Sequence, residues 1–514
     1  MLTALALGSA SVYADCKSSC DPVCKGGTHT SKSHFHAIDP YASGHYLRHA
    51  LSCNGDMEKR EDGFGGAFNV TVFGGKTTCS GKKELGRYFG INHKNSLVVA
   101  GPDSADFATA DIDARHLNIE VGTADNNNDF KSTITLSPEQ IQYGAGLSYK
   151  QILKRNEDDS ARFWFEVAAP FVHVENKMNF EETIADGIND LRDETGLDDV
   201  KRVANAKAAF QQSNWKYGRI HMGSDTGDCK NDNRARRFGN IEFKLGYNSV
   251  VGDCANIGSY LGLVTTAFNK SHREKSAQYM FAPRIGQDHW GIAYGTELGF
   301  KLREWDNSAL YTKMNIDGRY LFNSKEYRMF DLVGKQWSRY MEMYENKAAL
   351  EAAGNVETGT SGINLMTRKV DVTPGFQMNL NSALVYQGCR FMVEVGHTLS
   401  VRQAEEISPD WVEGPVLKHE DGNAGGATRL RTVALEGGDA AVTYANAKIK
   451  ECDVDWDSAA HPAVVAHSLY GAVAYQWNDI CYPTALSVGG AYDYSRGNAA
   501  ADRWTLFGQL NVSF

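Results

Sequence analysis

The residues able to do chemistry in this chain fall into three groups. The first is an N-terminal run of thiols and imidazoles, with Cys16, Cys20, Cys24 and Cys53 set among His29, His34, His36, His45 and His49. Thiolate and imidazole are good zinc ligands, but the spacing C-x3-C-x3-C with H-x-H matches no usual closed tetrahedral set, so no metal is assigned. The second group is His289, His397 and His467, in or beside alternating segments. Nucleophilic catalysis needs an activated serine or cysteine, and none of these histidines has a G-x-S-x-G neighbour. A Walker loop is absent, and the glycines at Gly63–Gly66 and at Gly74 and Gly75 flank a strand pattern rather than a phosphate cradle. The expectation is no catalytic residue, no cofactor and no enzyme. The third group is a set of charges, each on the polar side of an alternating segment. The acids are Glu166, Glu242, Glu297, Asp317 and Glu394; the bases are Lys244, Lys301, Arg303, Lys313, Arg319, Arg390 and Arg402.

The elements that position these charges read as strands. In 289–305, Trp290, Ile292, Tyr294, Leu298, Phe300 and Leu302 share one parity, opposite Glu297, Lys301 and Arg303. In 308–322, Leu310, Met314, Ile316, Tyr320 and Phe322 oppose Lys313, Asp317 and Arg319. In 388–404, Phe391, Val393, Val395, Leu399 and Val401 oppose Arg390, Glu394 and Arg402, and 237–249 repeats the pattern around Glu242 and Lys244. A period of two gives one apolar and one polar face. Sandwich strands run to about 5–6 residues, whereas a strand crossing a bilayer obliquely needs about 9–11. The segments here are of the longer kind.

Turn signals sit at Asn156-Glu-Asp-Asp, Val251-Gly-Asp-Cys, Asp306-Asn307, Gln387-Gly388, Asn478 to Pro483 and Arg496-Gly-Asn. Short connections alternate with long ones at 175–236, 269–288, 332–368 and 405–463. Counting back to less clear strands at 112–123, 85–100 and 64–73 gives about 14, with 12 or 16 open. Thr183 to Gln212 and Lys335 to Ala353 have apolar residues at helical intervals and are expected to be helical inserts in the long loops.

The chain closes on Trp504-Thr-Leu-Phe-Gly-Gln-Leu-Asn-Val-Ser-Phe514, where Trp504, Leu506, Leu510, Val512 and Phe514 share one parity. This segment resembles the C-terminal assembly signal of bacterial outer-membrane β-barrel proteins. The resemblance implies an all-β, transmembrane, antiparallel up-and-down barrel in the outer membrane, with outer-membrane lipids and the barrel assembly machinery as partners. Under it, the charges above become pore-lining groups that set up a transverse field favouring small polar solutes. Met1 to Ala14 resembles the end of a secretory signal, 15–60 reads as a Cys/His-rich periplasmic segment, and 61–514 as the barrel. The ten cysteines suggest disulfides in an exported chain, as in cysteine-rich major porins, within the chain, within a homo-oligomer or to other envelope proteins. A formal charge of −10 argues against a nucleic-acid binder. The expected function is passive diffusion of small hydrophilic solutes and ions. The alternatives are a hatch-gated transporter of hydrophobic small molecules, with 15–60 of suitable size for the hatch, and a structural or adhesive envelope barrel.

Overall fold

The computed structural model describes residues 31–38, 65–119, 129–156, 160–185, 203–220, 233–251, 255–266, 277–346, 360–408, 411, 415–417, 448–495, 497 and 499–514. The secretory signal expected over 1–14, and Cys16, Cys20, Cys24, Cys53, Cys229 and Cys254, lie outside these residues. Twelve strands form a closed barrel: β1 (Gly66–Thr77), β2 (Glu139–Arg155), β3 (Ala161–Lys177), β4 (Ile241–Val251), β5 (Ala255–Thr265), β6 (Gly291–Trp305), β7 (Ser308–Leu321), β8 (Gly375–Gly388), β9 (Phe391–Arg402), β10 (Val464–Trp477), β11 (Thr484–Ser495) and β12 (Arg503–Ser513). Each strand pairs antiparallel with its sequence neighbours, and β1 pairs with β12 to close the wall. A further strand, Arg234–Phe238, pairs with the upper part of β3. At the seam the amide of Gly66 donates to the Phe514 carbonyl at 2.7 Å and that of Phe514 to the Gly66 carbonyl at 3.0 Å. Gly66 leaves room there for the Phe514 ring, which would have to shift to admit a Cβ.

Two-sided alternation becomes an inside and an outside. Leu261, Val395, Leu506 and Val488 stand out from the wall and are at least 60% exposed. Aromatic residues border this apolar belt at both ends. Tyr143, Trp290, Tyr320 and Trp504 stand toward one rim, and Phe68, Phe163, Tyr386 and Phe391 toward the other. Water-soluble proteins seldom expose contiguous apolar patches beyond a few hundred Å². A belt around the whole wall is the outer-membrane type of barrel, facing lipid. Replacing Leu506 by Arg is expected to cost about 2–4 kcal/mol if it lies near the bilayer midplane. Chemical denaturation of protein folded into vesicles measures this, and an unchanged midpoint would place Leu506 outside the apolar layer.

Short turns of two to six residues join β2–β3, β4–β5, β6–β7, β8–β9 and β10–β11 at one end. The long connections all lie at the other end, where they build a cap with its own apolar core. Leu85, Phe89, Leu97, Phe130, Phe210, Trp337, Tyr340, Met343 and Ile363 are among its buried members. Its sheets include Ser96–Ala100 with Lys131–Thr135, and Ser324–Met329 with Thr367–Thr373.

Several sequence expectations change here. The barrel has 12 strands because 85–100 and the described part of 112–123, residues 112–119, belong to the cap. Cys79–Phe89 is a helix, with the Thr78 hydroxyl accepting from the Gly81 amide at 3.1 Å as its N-cap. Among the described residues of the other segment, only Ile112–Asp113 is a strand. The β8–β9 turn falls at Cys389 and Arg390, two residues after Gln387-Gly388. The chain enters β8 at Gly375, whose φ of +66° follows Pro374 and breaks it from the preceding cap strand. Of the expected helix at 183–212, Glu181–Ile184 is a strand and Ala206–Ala209 a single helical turn. In 335–353, Ser338–Tyr340 is a 3-10 turn and Glu342–Tyr344 a strand. The Asp331 carboxylate accepts from the amides of Trp337 and Arg339 at 3.1 and 3.0 Å, which holds that backbone in a turn.

Candidate functional site: the mouth of the barrel

The inner wall carries the charges read from the sequence. Glu166, Glu242, Lys244, Asp317 and Glu394 face inward and are buried. Glu297, Lys301, Lys313, Arg319 and Arg402 share the inward parity and are half-buried. Arg303 and Arg390 are exposed at the short-turn end. Arg303 follows a bulge in the β6–β7 pairing after Lys301 and lies over the Trp305 ring, 5.2 Å from its centre. Arg390 sits in a turn, ion-paired to Asp479 at 3.0 Å.

Inside the barrel these groups bind one another. Glu242 pairs with Arg319 and, at 3.3 Å, with Lys244. The Tyr260 hydroxyl donates to Asp317, which also accepts from the Asn315 amide. The Tyr470 hydroxyl donates to Glu394 at 2.7 Å, having passed over Gly396, where a Cβ would touch its ring. Beside this charged arc runs an apolar seam. Val174, Val172, Phe73, Phe507, Ala474 and Met392 belong to one buried cluster that reaches from the capped rim to the short-turn end.

The residues that sequence reading did not bring together lie at the capped mouth. Ser31–Ile38 runs from the cap core to the barrel wall. The Lys32 amide donates to the Tyr88 carbonyl at 3.0 Å and the Ser33 amide to the Ser458 carbonyl at 2.9 Å. The Ser33 hydroxyl donates to the Met329 carbonyl at 2.5 Å, and the Tyr88 hydroxyl to the His34 carbonyl at 2.5 Å. Phe35 is buried against Tyr88, Phe281 and His461, with ring centres 5.4, 5.9 and 5.7 Å away. Beyond it, two inward-facing wall arginines take over. Arg402 at the end of β9 donates to the Ala37 carbonyl at 3.0 Å, and Arg503 at the start of β12 donates to the Ile38 carbonyl at 3.2 Å. Arg503 is fixed by the Asp493 carboxylate at 2.6 and 2.9 Å. A recess beside Ile38 is lined by Thr77, Gln140, Ala466 and Asp493, from four strands of the wall.

A buried charge cluster braces this segment. Glu326 accepts from Arg284 at 2.8 Å, lies 3.0 Å from Arg328 and 3.0 Å from His289 Nε2. Glu405 accepts from Arg328 at 2.8 Å and from the His461 amide at 2.9 Å. Burial would raise both acids, but Arg328 acting on both, with Arg284 and His289 on Glu326, outweighs it and holds them below the carboxylate range. The imidazoles are lowered too, but here burial itself is the main cause. Burial, reinforced by Arg284 and Arg328 at His34 and by Arg402 and Arg284 at His36, pushes both well below the ordinary histidine value. Burial lowers His461 to about 4, and its Nδ1 donates to the Pro462 carbonyl at 2.9 Å.

Of the other sequence candidates, His289 joins this cluster. His397 and His467 are paired across β9 and β10 at 3.1 Å on the outward face, with His467 stacked on Tyr494. Cys79, Cys389 and Cys481 are exposed, and Cys452 is half-buried. Among the described residues, no group of three His, Cys, Asp or Glu is arranged to hold a metal ion.

No family model matches the chain, and no curated protein matches it. Solved structures do. One is an outer membrane channel from Pseudomonas putida F1, with 9% identity over 90% of this chain and 98% of that one, at a TM-score of 0.38. Another is the Pseudomonas putida toluene transporter TodX, with 9% identity over 95% and 98%, at 0.33. A third is the translocator domain of the autotransporter NalP from Neisseria meningitidis, with 7% identity over 91% and 93%, at 0.28. These likenesses are of barrel with barrel, and at such identities and scores they say nothing about cargo.

Proposed function

We propose that this chain is a bacterial outer-membrane channel for small molecules, held shut at its long-connection end by Ser31–Ile38. The observation that carries the reading is the grip of Arg402 and Arg503 on the carbonyls of Ala37 and Ile38 in the mouth. A freely open pore has no use for a buried segment bridging its cap and its wall. The wall itself favours cargo with an apolar body and a polar group. The seam from Val174 to Met392 offers a path for the first, and the arc around Glu242, Asp317 and Arg319 a path for the second. In this reading Trp504, Leu506, Leu510, Val512 and Phe514 present the last strand to outer-membrane lipids and to the assembly machinery.

Diffusion of small hydrophilic solutes is the second reading. It is supported by the polar side chains along the inner wall, including Gln142, Asn381, Ser487 and Gln509. Proteoliposome flux separates the two, using benzenesulfonate and arabinose, which are similar in size. Faster passage of benzenesulfonate supports the amphiphilic cargo, and faster passage of arabinose supports hydrophilic diffusion. Flux at the level of empty vesicles for both solutes, in the native chain and in a Phe35→Ala variant, would overturn the channel.

A further inference from the structure

The segment that closes the mouth carries two imidazoles into a buried cluster already rich in guanidinium groups. His34 and His36 flank Phe35, and His461 lies against the Phe35 ring from the connection before β10. His34, His36 and His461 are 6%, 6% and 4% exposed. From the cap, Arg284 and Arg328 face His34 and Arg284 faces His36; from the wall, Arg402 faces His36 and His461. The acids that face them are Glu326 and Glu405, and both are already engaged by arginine. On the same segment, Lys32 faces Asp457, Asp455 and Glu405, and its ammonium donates to the Asp457 carbonyl at 2.6 Å.

Among the described residues, the acids that face His34 and His461 are therefore already engaged by arginine, and the cluster suits these rings in their neutral form. His461 makes this explicit. Its Nδ1 is committed as a donor to the Pro462 carbonyl, while its buried Nε2 meets no acceptor, so a proton there would be unmatched. His34 Nε2 is in the same position. Two of the three rings are tied to the segment itself, so charging them repels the segment from Arg284, Arg328 and Arg402 together.

We propose that the mouth is an acid-released latch, in which protonation of His34, His36 and His461 expels Ser31–Ile38 from the cap. This rests on the gated-channel reading and adds its regulation. The sign follows from linkage. In the seated state the rings are neutral because their affinity for protons is lowered; on release His34 and His36, carried by the segment, recover the ordinary value of about 6.5, and His461 shifts toward it as water replaces the Phe35 ring. Seating is therefore fully stable above about pH 6.5 and weakens as pH falls below it. At pH 5 each of the two rings on the segment is expected to shift the seated-to-released ratio by up to about thirtyfold, since pH 5 lies 1.5 units below the released value.

The test reads the segment itself. Hydrogen exchange of the Lys32 and Ser33 amides is followed from pH 7.5 to pH 4.5 in the full chain folded into vesicles, corrected for intrinsic exchange. The expected result is a loss of protection below pH 6.5, steeper than one proton. His34→Gln, His36→Gln and His461→Gln should each reduce that steepness, and the triple variant should abolish it. If the triple variant fails to fold, the single variants decide, with heat-modifiable migration on gels confirming an intact barrel. Protection that is flat with pH, or a pH response that the glutamine variants leave unchanged, overturns the latch. Conductance recorded on the same samples keeps the two proposals apart. Acid release without conductance sinks the channel and spares the latch, whereas conductance without acid release does the reverse.

Discussion

Phe35→Ala is expected to unseat the mouth segment at neutral pH. Phe35 is 6% exposed and is the sole aromatic anchor among Ser31–Ile38, set edge-on against Tyr88 and Phe281 and tilted against Phe89 and His461. Truncating a buried Phe to Ala costs about 3–5 kcal/mol, from lost apolar transfer and the cavity left behind. The cap can collapse little into that space, because the rings around it are themselves wedged together, Tyr88 on Phe89 at 5.2 Å and Phe89 on Phe281 at 5.5 Å. The whole loss falls on one equilibrium, so the released population should rise by about 10² to 10⁴. Exchange of the Lys32 and Ser33 amides at pH 7.5 should accelerate by the same factor. Unchanged exchange would mean that the carbonyl grip of Arg402 and Arg503, and not Phe35, holds the segment. Charge matters less at this pH, since the histidines are neutral on both sides of the equilibrium.

Arg339→Ala should unfold the cap while leaving the barrel closed. Arg339 and Asp331 are both 0% exposed, and their ion pair spans 2.6 Å. Asp331 also accepts the amides of Trp337 and Arg339, so one carboxylate fixes the turn that carries Trp337 into the core. Trp337 itself takes a φ of +64°, a backbone state unfavourable for an indole side chain and kept by those bonds and by its own donation to the Phe89 carbonyl at 2.8 Å. Removing the guanidinium leaves a buried, uncompensated anion, which costs about 3–5 kcal/mol. Replacing both partners, as Asp331→Asn with Arg339→Met, should recover part of that loss, because the stranded charge is gone. Hydrogen exchange of cap amides such as those of Leu332 and Trp337 in rising urea measures the cap, and heat-modifiable migration on gels reports the barrel. A single shared transition for both would contradict the separation of cap and wall. Since Trp337 packs on Phe210 and Tyr340, and Phe89 packs on Phe35, the same variant should also loosen the mouth.

The wall was legible because a strand is a local pattern. Alternate residues of β6, β7 and β9 sort apolar from charged without reference to any distant partner, and Asp306-Asn307 marks its turn directly. The C-terminal strand was legible for the same reason, and Phe514 closes the seam with Gly66. The cap was not legible, since its segments are apolar on the side that meets other connections. Leu85, Tyr88 and Phe89 follow helical spacing, but Leu97 and Val99 alternate soon after, and the two patterns merge into one apparent strand over 85–100. In 335–353 the helical spacing of Trp337, Tyr340 and Met341 is real. The Asp331 carboxylate, drawing on Trp337 and Arg339 together, turns that backbone instead.

The mouth shows the limit most clearly. His34 and His36 stand out in the sequence as possible ligands, and Arg402 as a pore charge. Nothing local connects the two histidines to Glu326, Glu405, His461 or Arg503, which lie roughly 290 to 470 positions further along the chain. Arg503 had one readable signal. It shares parity with Thr505 and Gln509, the inward side of β12, where a lone cation calls for an anion such as Asp493 on the neighbouring strand.

The central claim is that the seated segment Ser31–Ile38 shuts a channel. Planar-bilayer recording at pH 7.5 tests it most directly, comparing the native chain with Phe35→Ala in the same lipid. The account predicts rare openings for the native chain and sustained openings for the variant, at the same unit conductance, because the wall is unchanged. Steady openings of the native chain with Ser31–Ile38 still protected from exchange would contradict it, as would a variant that releases the segment and stays closed.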